Sequence, residues 1–255
     1  MKDAFKDIAK IRKEIAARGA VVLLDFDGTL APTVSHPDNA KMGTRMRRAL
    51  SACARRFPTA VITGRSLTDV IPRVRTPGVS FAGNHGLEWV VKGKHATAVS
   101  GATAAFALKR AERSLRAIAK RYHGAWVENK THSISLHYRK VEGSERPALV
   151  RAARRAVRLA GGRHLRIVSG AYVLNVLPNI GRNKGTAAHM LHVRLRATKR
   201  AVPIFIGDDV TDEDAFGALR SGITIIVGLR KRTKARYRLQ SIRAVEKFLL
   251  FLSAL

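Results

Sequence analysis

Val21–Leu24 is an uninterrupted apolar run, and four such residues suit a strand covered on both faces of a parallel sheet. Short runs of similar character recur at Pro58–Gly64, Val79–Gly83, Val202–Ile206 and Ile223–Val227. Between them the apolar positions fall at helical spacing. Phe5, Ile8, Ile11 and Ile15 mark one amphipathic helix, and residues 40–56, 183–196, 211–220 and 241–254 mark others. Ser66 is placed to cap a further short helix. This alternation predicts an α/β fold: a doubly wound, Rossmann-like parallel sheet with its chemistry at the carboxyl ends of the strands.

The middle of the chain breaks the rhythm. A helix over about 101–121, rich in Ala, Arg and Lys, precedes two alternating stretches, Ala125–Lys130 and Ser133–Arg139. A second helix over about 145–160 precedes another pair, His164–Ser169 and Tyr172–Leu177, parted by Gly170 and Ala171. Helix, paired strands, helix, paired strands predicts a small α+β module with an antiparallel sheet. The expected organisation is a core from residues 1–90 plus 179–255 and an inserted module over 91–178.

The 255 residues, 46% of them hydrophobic, suffice for a large core with an insert. A single cysteine, Cys53, excludes an internal disulfide framework and fits a reducing compartment; its Ser-Ala-Cys-Ala setting suits packing, not nucleophilic attack. No signal-peptide pattern opens the chain, and no run approaches the roughly 20 apolar residues of a membrane span. A soluble, cytoplasmic protein with no membrane partner is the expectation.

Charge changes the picture. The net charge is +30, and Lys plus Arg number fifteen, eighteen and fifteen in residues 1–90, 91–178 and 179–255, so the bases are spread. The eighteen acids are not: Asp25 and Asp27 follow the first apolar run, and five more lie within Asp208–Asp214. An acid-poor chain that gathers its acids points to cation binding, and its surplus base favours anionic partners, a phosphorylated metabolite among them. Arg151, Arg154, Arg155 and Arg158 lie at helical spacing and read as a solvated helix face.

Four pieces would meet above the carboxyl edge of the sheet. In Asp25-Phe-Asp27-Gly-Thr the two carboxylates share one side if extended geometry persists past Leu24. Carboxylates buried there are costly without a cation or proton. Thr63-Gly64-Arg65 offers a strand-end hydroxyl and a backbone amide to a phosphate oxygen. Asn183-Lys184-Gly185 places an ammonium and helix-start N–H groups near the same anion. The fourth piece, Gly207-Asp208-Asp209-Val-Thr-Asp212-Glu-Asp214, follows a buried strand.

In this order the pieces resemble the haloacid dehalogenase superfamily of phosphotransferases, over nearly the whole chain and with an inserted cap. The resemblance implies Asp25 as nucleophile, forming an aspartyl-phosphate, and Asp27 as the acid and base around it. It implies Mg²⁺ held by Asp25, the Asp27 carbonyl and Asp208, with Asp209 or Asp212 in support. Thr63 and Lys184 would bind the transferring phosphoryl group. All-oxygen ligands suit Mg²⁺, and the nine histidines show no metal spacing. Gly181–Thr186 lacks the Gly-Lys-Ser/Thr order of a P-loop, so hydrolysis outranks nucleotide-driven transfer.

Further marks are similar to trehalose-6-phosphate phosphatases: Gly83-Asn84-His85-Gly86, Val127-Glu128-Asn129-Lys130, His137-Tyr138-Arg139 and the Gly207–Glu213 motif. That resemblance implies a sugar phosphate as substrate, Gly64, Arg65, Asn84 and His85 around it, and Glu128, Lys130 and Arg139 reaching sugar hydroxyls from the cap. Glu128 and Lys130 equally suit a simple salt bridge. One departure stands out: Asn175-Val-Leu177-Pro replaces the family's Glu-Val-Arg-Pro, which leaves another sugar or glycoside phosphate open as the substrate. A basic nucleic-acid-binding protein is the rival of another class. Dispersed bases, 6% aromatic residues and no stacking motif argue against specific nucleic-acid binding.

Overall fold

The computed structural model describes residues 2–99, 102–230 and 232–255. The chain forms two compact units, Met1–Ala96 with Asn183–Leu255, and Thr97–Arg182.

In the first unit the elements run β1 (Lys2–Asp3), α1 (Ile8–Arg18), β2 (Ala20–Leu24), α2 (Thr44–Arg56), β3 (Thr59–Ile62), α3 (Leu67–Val74), β4 (Ser80–Gly83), β5 (Glu88–Val91) and β6 (Lys94–Thr97). In the second unit follow α4 (Ala102–Ala119), β7 (Trp126–Asn129), β8 (Ile134–His137), α5 (Arg146–Gly161), β9 (Leu165–Gly170) and β10 (Val173–Pro178). The chain then returns with α6 (Lys184–Leu195), β11 (Val202–Gly207), α7 (Glu213–Ala218), β12 (Ile223–Val227), β13 (Tyr237–Leu239) and α8 (Ile242–Ser253).

The sheet order of the first unit is β1-β13-β12-β11-β2-β3-β4-β5-β6. From β1 to β4 all neighbours are parallel, and β4 pairs with β5 antiparallel. β2 leads outward through β3 to β4, whereas β11 leads the other way through β12 to β13. The carboxyl ends of β2 and β11 therefore sit side by side at the reversal of strand order, where doubly wound sheets hold ligands. Every residue of β2, β3, β11 and β12 is buried, which explains their continuous apolar runs.

Alternate strand residues feed two layers. Val22, Leu24, Val61, Ile204 and Ile225 join a cluster with Ile11 and Ile15 of α1, Leu50 and Cys53 of α2, and Phe248 and Leu252 of α8. Phe205 points the other way and meets Phe216 of α7 edge-on, ring centroids 5.6 Å apart. Cys53 is fully buried, and burial pushes its thiol up to about 12, so it packs and does not react.

The second unit is an antiparallel sheet, β7-β8-β10-β9, with α4 and α5 sharing a core with Ile134, Leu136, Leu174 and Val176. It is the α+β module that the alternating stretches predict; residue 101 lies outside the described residues.

Two features depart from expectation. β1, β5, β6 and β13 carry too few periodic residues to stand out in sequence. Residues 211–220 are not one helix, because a 3₁₀ turn at Val210–Asp212 precedes α7. The Asp212 carboxylate folds back to accept the Asp208 and Asp209 N–H groups, both at 2.9 Å, which tightens that turn. Among the described residues no helix is long and apolar enough to cross a membrane.

Candidate active site

Asp25 is the first residue past β2, and its N–H continues the ladder to the Ile206 carbonyl at 2.9 Å. The residue is 3% exposed. The strand geometry ends there. The Phe26 carbonyl accepts the N–H groups of Thr29, Leu30 and Ala31, and the chain turns. Asp27 lies in that turn: its carboxylate, 37% exposed, is gripped by Arg65, Nε to Oδ2 and Nη2 to Oδ1 both at 2.7 Å. Such a two-point pair fixes orientation as well as charge.

Gly28 makes that turn possible. Its φ is +79°, and a Cβ there would lie 2.0 Å from Asp208 Oδ2. Gly207 plays the matching part at the end of β11, since a Cβ would meet Asp212 Cγ at 2.4 Å. The two glycines let the acid-bearing loops approach each other.

Lys184 is the first residue of α6, whose Asn183 cap accepts the Thr186 N–H at 2.8 Å while the Thr186 hydroxyl accepts the Asn183 N–H at 2.9 Å. An ammonium at a helix start opposes the helix dipole. Two carboxylates reverse that balance: Lys184 Nζ donates to Asp25 Oδ1 and to Asp212 Oδ1, both at 2.8 Å, with all three side chains buried. Burial alone would lower the Lys184 ammonium, but Asp212 and Asp25 overcome it and hold it above its ordinary value.

Asp25, Asp208 and Asp212 place one oxygen each within 4.8 Å of the others. Three carboxylates thus face one ammonium. Burial pushes the Asp25 carboxyl well above its ordinary value; Lys184 opposes this, and Asp212 and Asp208 reinforce it. Burial, then Asp212, pushes Asp208 up to about 7. Asp208 Oδ1 is buried without a hydrogen-bond partner. An under-neutralised, all-oxygen cluster with an orphaned buried acceptor fits a hard divalent cation. Asp209 stands apart from the three. It caps the 3₁₀ turn and lies 3.9 Å from Arg230.

Thr63 follows β3, next to β2 in the sheet, and its hydroxyl accepts the Arg65 N–H at 3.1 Å. Arg65 directs its guanidinium to Asp27, to Asp69 at 2.6 Å and to the Pro37 carbonyl at 3.0 Å. Asn84 and His85 have φ of 49° and 56°, so two buried non-glycine residues are left-handed in succession. The turn is tied to Thr63-Gly64-Arg65: the Asn84 N–H donates to the Arg65 carbonyl at 2.7 Å and the His85 N–H to the Thr63 carbonyl at 2.9 Å. A Cβ on Gly64 would lie 2.7 Å from His85 Nε2, so the imidazole rests against that glycine. Glu88 braces it, with Oε1 accepting from Asn84 Nδ2 at 2.5 Å and from the Leu67 N–H at 3.0 Å.

In the second unit, register and alternation place Trp126, Glu128, Ser135, His137 and Asn175 on the sheet face opposite the helices. Glu128 Oε2 meets His137 Nε2 at 2.8 Å and lies 3.6 Å from Lys130 Nζ, so the salt bridge expected as an alternative is present with a third member. Asn175 is buried; its Oδ1 accepts from Ser135 Oγ at 2.7 Å and its Nδ2 donates to the Val168 carbonyl at 3.4 Å. Arg139 donates to the Ala171 carbonyl at 3.2 Å and lies over the Tyr172 ring.

Asp69, Glu88 and His137 were not singled out by sequence reasoning. Asp69 and Glu88 lie four residues beyond Arg65 and Asn84, a spacing that brings side chains together in a helical turn. His137 belongs to the His137-Tyr138-Arg139 motif but has no metal spacing.

The trehalose-phosphatase family model matches residues 23–243. A trehalose-phosphate phosphatase of Mycobacterium avium is 38% identical over 213 residues, which cover 82% of this chain and 53% of that protein. A probable trehalose-phosphate phosphatase 3 of Oryza sativa is 36% identical over 92% of this chain and 70% of its own length. An uncharacterized glycosyl hydrolase of Mycobacterium tuberculosis is 36% identical over 97% of this chain, which spans only 19% of that protein. The C-terminal domain of a C. albicans trehalose-6-phosphate phosphatase shares the fold with a TM-score of 0.85 at 19% identity, covering 97% of this chain and 96% of that one. Motifs, fold and family match agree: this chain belongs to the trehalose-phosphatase family.

Proposed function

We propose that the chain is a Mg²⁺-dependent phosphomonoesterase converting trehalose 6-phosphate to trehalose and inorganic phosphate. One observation carries the reading: buried Asp25 and Asp212 meet Lys184, with half-buried Asp208 beside them, at the reversal of a doubly wound sheet, in a chain of this family. The first unit is the catalytic core, and the second supplies sugar recognition through Glu128, Lys130 and Arg139.

The chemistry proposed is two displacements at phosphorus. A carboxylate oxygen of Asp25 attacks, the ester P–O bond breaks, and Asp27 delivers a proton to the departing sugar oxygen. Asp27 then removes a proton from water, whose oxygen attacks the aspartyl-phosphate and releases phosphate with Asp25 regenerated. Arg65 orients Asp27, and Lys184 balances charge on Asp25 and the phosphoryl oxygens. The Thr63 hydroxyl and the Gly64 backbone serve the phosphoryl group, and the Asn84–His85 turn braces them. Asp25, Asp208 and Asp212 would hold Mg²⁺, with the Asp27 carbonyl beside them. Bound there, the ion draws charge from the phosphoryl oxygens. The lone, buried Cys53 supports a cytoplasmic setting.

Phosphate release from a panel of sugar and glycoside phosphates, with Mg²⁺ and with chelator, tests the reading. Trehalose 6-phosphate should rank first by kcat/KM, and chelator should remove activity. A different leader moves the substrate, an outcome that the occupied amide of Asn175 keeps in view. Release from none of them refutes the proposal.

A linked prediction concerns stability. A carboxyl held above its unfolded value of about 4 keeps its proton in the fold, so the metal-free protein weakens as pH rises from about 4 to 7. Mg²⁺ must displace that proton. Saturating Mg²⁺ should therefore raise Tm by roughly 5 °C or more at pH 8 and by under about 2 °C at pH 5. Equal shifts at both values would remove Asp208 from the site.

A further inference from the structure

The four strands of the second unit carry a single acid, Glu128. Its neighbour along the register is the Ser135–Asn175 pair: the Asn175 amide oxygen accepts from Ser135 and one amide N–H donates to the Val168 carbonyl. Position 175 therefore offers no carboxylate, and its amide already serves the sheet. Carboxylate recognition of hydroxyls on this face falls to Glu128.

A glutamate on a strand has three rotatable bonds and binds poorly unless something orders it. Here that partner is His137. Its ring stacks on Trp126 with centroids 4.0 Å apart and planes 10° from parallel, and its Nε2 meets Glu128 Oε2 at 2.8 Å. The imidazole is thus held by the flat indole and by a short bond at its edge. Lys130, 3.6 Å from the same oxygen, adds charge as a point contact.

We propose that His137 is a positioning residue for sugar recognition: stacked on Trp126, it fixes the Glu128 carboxylate that binds the hydroxyls of the substrate's sugar. The inference rests on the sugar-phosphatase reading and deepens it by naming the device that takes over where Asn175 stands.

The test measures kcat and KM for whichever sugar phosphate the wild type hydrolyses best, with p-nitrophenyl phosphate as a phosphomonoester without hydroxyls. His137→Ala should raise the sugar-phosphate KM about tenfold with kcat within about twofold, lowering kcat/KM relative to the aryl phosphate. His137→Gln, which retains an N–H donor, should recover part of the loss and serves if the alanine variant folds poorly. In a Glu128→Ala background, His137→Ala should add nothing, because its effect runs through the carboxylate. An unchanged KM, or full additivity of the two substitutions, overturns the role of His137. Hydrolysis of the aryl phosphate with no sugar phosphate turned over refutes the sugar reading itself, and this inference with it.

Discussion

Asp25→Asn should abolish phosphate release, by roughly 10⁴-fold or more, while leaving the fold intact. The amide keeps the shape of the side chain but cannot attack phosphorus. Burial opposes ionisation of the native carboxyl, and the neutral amide removes that cost. Lys184 retains Asp212 at 2.8 Å. The thermal midpoint should consequently equal or exceed that of the metal-free wild type, which separates loss of chemistry from loss of structure. Turnover within tenfold of the wild type would remove Asp25 as the nucleophile and the two-displacement scheme with it. A fall in Tm together with activity would instead make Asp25 a structural acid.

How far such a site is legible in sequence depends on whether its residues are local. Asp25, Lys184 and Asp208 each follow a recognisable element end, so alternation of strand and helix was enough to bring them to one sheet edge. The helix start at Lys184 was readable because Asn183 and Thr186 form a capping box within four residues. Arg65 was not readable in the same way. Its Asp27 partner is 38 positions away, and the turn after Asp25 that hands Asp27 to Arg65 depends on Gly28 fitting against Asp208. Likewise Asn175 reads in sequence as a hydroxyl ligand with its charge removed, whereas antiparallel register sets it opposite Ser135 and closes its amide. Short strands such as β1 and β13 escaped because two or three residues carry no periodicity of their own. Local pattern located the charges; their partners were set by tertiary register.

Lys184→Met carries the largest expected effect on stability. The thioether chain fills similar space but leaves Asp25 and Asp212 buried without the cation each meets at 2.8 Å. Removing one partner of a buried ion pair costs about 3–5 kcal/mol, or roughly 10 °C in Tm for a chain of this size. The sign of its pH dependence identifies the cause. In the wild type the folded ammonium is raised above its unfolded value of about 10.4, so its contribution is complete throughout the neutral range and fades only in strong alkali. In the variant the Asp25 carboxyl, already raised by burial, loses its counter-charge and rises further. The fold then takes up protons as pH falls, so the deficit should be smallest near pH 5 and reach its full size by about pH 8. Adding Asp212→Asn should recover part of the loss at pH 8, since the second substitution removes the charge that the first left unpaired. A deficit independent of pH, or a double variant weaker by the sum of the two, would mean that Lys184 packs the helix start and does not neutralise the acids. Charge balance around Asp25 would then have to come from a bound cation alone.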